Sequence, residues 1–230
     1  MIKKYYKKHV EKNTGNEQTD FLYQVGKTYA GKPIDNDKFL IIIESIVKNL
    51  KINKKDTVID LGSANGLITY NISKLVKSIH GFDFSKDLVY VANKYHKEEN
   101  THYTVSNILD IDFTSIPFQK IYMYEVLQHF EYNMLRQLLN KLIDSRHKFS
   151  FFIGSIPDAA ELFTFYSNEE RKKYYFTEIL EKNQFHLGNW WHKEQIILLC
   201  KELNLNVNII NHHKDLHTAH YRFDVLIEKK

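Results

Sequence analysis

From about residue 37 onward, short unbroken apolar or β-branched runs alternate with stretches whose apolar residues recur every three or four positions. The first pattern reads as buried strand, the second as a helix with one face in a core. Strands are predicted over residues 57–61, 77–83, 103–105, 120–124, 149–154, 206–210 and 221–227. Helices are predicted over 37–50, from Leu67 onward, over 86–95, over 135–146 and over 192–203. Asp35 or Asn36 can cap the first helix and Ser85 the third. Strand–helix alternation of this kind predicts an α/β fold with a parallel sheet, and the alternating run 221–227 can pair antiparallel beside 206–210 to end it. Residues 37–230 read as one domain. Residues 1–36, polar, Tyr-rich and punctuated by glycine, read as an arm, a lid or plain surface. Residues 158–189 form a polar and aromatic insertion where a compact unit needs only a short loop.

Composition narrows the class. A chain of 230 residues with 43% hydrophobic and 14% aromatic content is globular, with room for one substantial core. Its 32 basic and 28 acidic residues leave a net charge of +4, too small to argue for nucleic acid or an anionic membrane. The Lys- and Tyr-rich start, residues 3–8, is a candidate nucleic-acid arm, although terminal charge runs are ordinarily solvated. No apolar run follows it and none elsewhere is long enough to span a bilayer, so the expectation is a cytoplasmic protein without a membrane partner. The single cysteine, Cys200, cannot form an internal disulfide, and it suits a reducing compartment.

The densest chemistry lies in Asp60-x-Gly62-Ser63-x-x-Gly66, with Asp83 ending the next strand. A dinucleotide fold wants Gly-x-Gly-x-x-Gly so that the backbone can approach a pyrophosphate. Ala64 occupies the middle position here, which weakens the phosphate reading. The pattern resembles the cofactor loop of the class I S-adenosylmethionine (SAM) methyltransferases. That resemblance, covering roughly residues 37–230, implies a doubly wound, seven-stranded Rossmann-like methyltransferase sheet with a C-terminal antiparallel hairpin, and SAM as cofactor.

The resemblance also assigns roles. Asp83 would hold the ribose hydroxyls, Asp60, Gly62, Ser63 and Gly66 the aminoacid side, Phe84 one adenine face, and Asn107 and Ile108 the adenine edge. Asn107 departs from the family's usual Asp. Lys27 and Tyr29 would close over the cofactor, Lys27 meeting its carboxylate. Tyr124-Glu125-Val126-Leu127-Gln128-His129-Phe130 resembles the segment lining the sulfonium pocket of small-molecule enzymes. It lacks the Asn/Asp-Pro-Pro-aromatic motif of enzymes that methylate nucleobase amines. His129 is the candidate general base, having an intrinsic pKa near neutrality. An anionic phosphate or phosphoramidate oxygen would instead want cations such as His186 or Arg222.

Plainer readings stand beside these: a tight turn for the glycines, a helix cap for Asp83, core packing for Phe84, a structural role for His129, solvated surface for Lys27 and Tyr29. The histidines of 212–220 carry metal-ligand types, but His213-x-x-x-His217 has meaning only on a helix, and the stretch reads as a hairpin loop. No metal is expected. The leading reading is O-methylation of a small polar metabolite; the Gln24–Pro33 and Tyr221–Ile227 stretches resemble those of enzymes modifying surface-polysaccharide precursors. The rival is a non-catalytic nucleotide-binding or RNA-associated module of the same fold.

Overall fold

A computed structural model describes residues 10–11, 15, 17–182, 184 and 186–229. The basic cluster at 3–8 lies outside the described residues. In chain order the strands are β1 (Thr28–Tyr29), β2 (Lys32–Pro33), β3 (Thr57–Leu61), β4 (Ser78–Asp83), β5 (Thr101–Val105), β6 (Lys120–Tyr124), β7 (Phe149–Pro157), β8 (Asn206–Asn211) and β9 (Arg222–Lys229). The α-helices are α1 (Gln18–Gln24), α2 (Asn36–Leu50), α3 (Leu67–Ser73), α4 (Lys86–Tyr95), α5 (Tyr132–Asp144), α6 (Leu162–Phe165), α7 (Glu169–Tyr174) and α8 (Lys193–Glu202).

β1 and β2 form a small antiparallel pair, and the other seven strands form one sheet in the order β5-β4-β3-β6-β7-β9-β8. β5 through β7 run parallel, whereas β9 lies antiparallel between β7 and β8. This is the expected doubly wound methyltransferase sheet with its terminal hairpin. The strands read as unbroken apolar runs because both faces are covered. Val58, Tyr122 and Phe152 pack with Phe39, Ile42 and Ile46 of α2 and Ile72 of α3. Their neighbours Ile59, Ile121, Phe151 and Ile153 pack on the other face with Leu135, Leu138 and Leu142 of α5 and Ile196 and Leu199 of α8. Each such side chain, removed from water, contributes roughly 1.5–3 kcal/mol.

Local chemistry sets the element ends. Asp35 caps α2, accepting from the Lys38 amide at 2.8 Å, and Ser85 caps α4, accepting from the Leu88 amide at 3.4 Å. β7 carries a bulge between Ile153 and Ile156, with Ser155 in the left-handed region at φ 63°. The insertion folds into α6, α7 and a π-helical turn over Tyr175–Leu180, held by an aromatic cluster. Within it the Tyr166 and Tyr175 rings are 4.8 Å apart and those of Phe165 and Trp190 are 5.7 Å apart.

Candidate functional site

A cavity of about 690 Å³ opens at the carboxyl ends of β3, β4 and β6, and its lining includes Asp83, Asn107, Glu125, His129 and Met134. The turn after β3 shapes its floor. Gly62 and Gly66 have φ of 84° and 79°, a backbone that L side chains rarely adopt. A Cβ on Gly62 would meet Val126 Cγ2 at 2.5 Å, and one on Gly66 the Tyr103 hydroxyl at 2.8 Å. Ala64, where a dinucleotide turn has glycine, is itself left-handed at φ 48°. That conformation turns its amide toward Asp83, whose Oδ2 accepts it at 2.9 Å while Oδ1 accepts the Ser85 amide at 2.8 Å.

Burial raises the Asp83 pKa, opposed by those two amides. Each carboxylate oxygen retains a second acceptor site, so vicinal hydroxyls still have a partner. Asp60 is also buried, with Oδ2 accepting from Thr69 Oγ1 at 2.5 Å and from the Tyr122 hydroxyl at 2.6 Å. Burial pushes its pKa up to about 7 against the pull of both hydroxyls. Ser63 Oγ is buried in the same wall without a hydrogen-bond partner. The close backbone, the two carboxylates and this open hydroxyl fit an amino acid nucleoside.

The lining around Glu125 is built from distant segments. Lys27, 8% exposed, lays Nζ 2.7 Å from Glu125 Oε2 and 4.7 Å from the Tyr124 ring centroid. Glu125 has φ 60°, and its amide donates to Gly154 O at 3.0 Å. Burial acts to raise the Glu125 pKa, but the charges of Lys27 and Arg222 outweigh it and hold the carboxyl at about 2. His129 ends a 3₁₀ turn, Leu127–His129. Burial and the Arg222 charge lower its pKa to about 4. Behind them, the Ser155 amide donates to Asp224 Oδ1 at 2.7 Å, and His212 Nδ1 lies 2.8 Å from the same oxygen.

The cavity therefore gathers Lys27, Asp60, Gly62, Ser63, Asp83, Phe84, Asn107, Ile108, Glu125 and His129. Gly66 lies outside the lining and shapes the turn as the residue preceding α3. Tyr29 is a correction. It is 61% exposed, stacks at 4.9 Å on His217 and does not line the cavity, because the β1–β2 turn carries it outward. His129 lines the cavity, with a pKa lowered to about 4 from the near-neutral value expected of a base. Lys27 is committed to Glu125, although an ammonium retains further donors. Asn107 Oδ1 accepts from the Leu109 amide at 3.0 Å. His186 Nδ1 lies 2.8 Å from the Tyr166 hydroxyl, and none of residues 158–189 lines the cavity. Residues 214–215 and 217–220 form turns and no helix, and among the described residues no three potential metal ligands converge.

Two residues escaped the sequence reading. Asn65 Nδ2 donates to Phe21 O at 2.8 Å and Gln24 Oε1 at 3.0 Å, fastening α1 to the glycine turn so that Val25 and Lys27 reach the cavity. Asn189 donates its amide to Gln128 O at 2.7 Å and Nδ2 to Phe130 O at 2.8 Å, fixing the turn that carries His129. An amide side chain beside a tight turn is the one signal the sequence offers for Asn65; it offers none for Asn189.

The methyltransferase domain family matches residues 58–145. Ribosomal RNA small subunit methyltransferase A of Wigglesworthia glossinidia brevipalpis is 29% identical over 112 residues, which make up 46% of this chain and 41% of that protein. The rRNA adenine N-6-methyltransferase of Escherichia coli is 20% identical over 112 residues, 49% of this chain and 44% of that one. The chain thus spans about two fifths of the length of the curated relatives it matches. Among solved structures, magnesium protoporphyrin IX methyltransferase from Synechocystis PCC 6803 with bound S-adenosylhomocysteine (SAH) superposes with a TM-score of 0.65 at 11% identity, over 100% of this chain and 98% of that chain. Plantazolicin methyltransferase in complex with SAH gives 0.61 at 14% identity, over 99% and 89%. At such identities the likeness is one of fold. The family match, however, contains Gly62, Gly66 and Asp83, and over residues 58–145 the chain is similar to a methyltransferase domain, in the fold of SAM-dependent methyltransferases.

Proposed function

We propose that the protein O-methylates a small polar metabolite, such as a sugar or a phosphorylated or phosphoramidate precursor of surface polysaccharide, in the cytoplasm. The observation that carries this reading is the cavity. At about 690 Å³ it falls within the roughly 300–1,000 Å³ of small-molecule sites, and its lining includes Glu125, His129 and Met134 beside the residues assigned to the cofactor. The bound cofactor supplies a methyl group already activated on a sulfonium. The protein's own task is then alignment and exclusion of water. Asp83, Phe84 and Asn107 would hold the nucleoside, with Asp60 and Lys27 at the aminoacid side. Val25 and Lys27 bring the N-terminal segment over the cavity as a lid. His129, neutral at pH 7, can accept a hydrogen bond from an acceptor hydroxyl and orient it, but its depressed pKa makes it a weak base. The polysaccharide assignment draws on the resemblance of residues 24–33 and 221–227 alone.

The curated relatives favour a second reading, methylation of RNA. Against it stands the absence of proline from residues 124–130, where enzymes of nucleobase amines carry their motif. Incubation with methyl-labelled SAM and, in parallel, a panel of sugars and sugar phosphates or purified ribosomal RNA separates the two. Label is expected in the small acceptors; label confined to RNA overturns the proposal.

A further inference from the structure

Arg222, the first residue of β9, is 7% exposed, yet among the described residues it forms no ion pair. Its Nη1 donates to two neutral oxygens, Gln128 Oε1 at 2.9 Å and Ser155 O at 2.5 Å, and its Nε is buried without a partner. Of the neighbouring carboxylates, Glu125 feels the Arg222 charge but pairs directly with Lys27, and Asp224 bonds His212 and the Ser155 amide. A buried guanidinium is costly unless an anion compensates it, because the interior solvates its charge far less well than water does. Arg222 lies behind the cavity lining: Ser155, whose carbonyl holds Nη1, donates Oγ to the lining residue Glu125 at 3.4 Å, and the Arg222 charge acts on both Glu125 and His129. Gln128, which holds Nη1, lies between Leu127 and His129 in the 3₁₀ turn whose last residue lines the cavity.

We propose that Arg222 is the specificity-determining residue for an acceptor bearing an anionic group, a phosphate or a carboxylate, which displaces the Gln128 oxygen from the guanidinium. The planar fork suits bidentate recognition of either group. His186, the other cation considered from sequence, is engaged with Tyr166, lies outside the cavity lining, and has its pKa lowered by burial and by the Arg171 charge. This inference rests on the methyl-transfer reading and narrows its substrate class.

The test uses the full chain saturated with SAH. Sodium phosphate and sodium acetate are titrated against sodium chloride at matched ionic strength, with thermal unfolding as readout. A ligand that binds only the folded state raises the melting temperature in a saturable way. Phosphate or acetate is expected to do so for the wild type, at an apparent Kd about tenfold tighter than for Arg222→Gln, with Arg222→Lys between them. A larger effect of phosphate assigns a phosphoryl acceptor, and a larger effect of acetate a carboxylate. The proposal is overturned if neither anion exceeds chloride on the wild type, or if the variants respond as the wild type does. Should Arg222→Gln fail to fold, the wild type against Arg222→Lys decides in the same terms. SAH affinity is measured separately: failure of SAH to bind sinks the cofactor reading, whereas SAH binding without an anion response sinks this inference alone.

Discussion

The two ends of the cavity are built in opposite ways. The cofactor end comes from residues 60–108, a nearly continuous stretch in which a strand, a tight turn and the next strand deliver backbone amides and carboxylates together. The end around Glu125 brings Lys27 and Glu125 into the lining from two distant segments, backs them with Ser155 and Arg222 from two more, and balances their charges against one another. A site encoded locally is held by backbone geometry, whereas one assembled by topology is held by electrostatics and answers to pH and ions. The largest expected effect tests that division. Asp83→Ala removes the acceptor for the turn's amides and for the ribose, and SAM affinity by calorimetry should fall at least about tenfold, on the scale of one lost charge-assisted hydrogen bond. Glu125→Gln, which keeps the shape and dissolves the Lys27 pair, should cost less. An equal loss in both would erase the distinction between the ends.

The same division explains what could be read from the sequence. The sheet strands were placed to within a few residues because each is an apolar run covered on both faces, with β3 and β6 matching to the residue. Asp83, Gly62 and Asn107 fall together in the cavity lining because their relations are local in the chain. Nothing local announces that Lys27 meets Glu125, 98 residues away, or that Arg222 meets Ser155, 67 residues away. The left-handed residues Ala64, Glu125 and Ser155 were equally hidden, since alanine, glutamate and serine carry no preference for that backbone. Tyr29 falls outside the lining although Lys27, two residues before it, lies within it: Lys27 is 8% exposed and Tyr29 61%.

Gly62 joins the two ends, because the Cβ it lacks would strike Val126. Gly62→Ala should lose about 1–3 kcal/mol of stability in urea unfolding, part from the clash and part from φ 84°. Adding Val126→Ala removes the clash and leaves the backbone strain, so only part of the loss should return. Complete recovery would mean that packing, and not backbone geometry, fixes the turn.

The smallest effect concerns His129 and acid. Its folded pKa of about 4 lies below the ordinary 6.5, so the unfolded chain takes up the proton first. The stability tied to neutral His129 is present above pH 6.5 and is lost as pH falls toward 4. Glu125, held at about 2 against an ordinary 4.5, loses its share only in the lower window between those values. His80, His96, His186 and His217 are also depressed, so His129→Gln should make the stability curve between pH 6.5 and 4 shallower without flattening it. Activity gives the sharper signal. If His129 orients the acceptor as a neutral ring, the rate at saturating cofactor stays level through pH 6.5 and falls only as pH nears 4. An acid limb centred near 6.5 that disappears in His129→Gln would mean that the ring titrates normally in the working enzyme, and the end around Glu125 would then be wetter and less dominated by Arg222 than its charges imply.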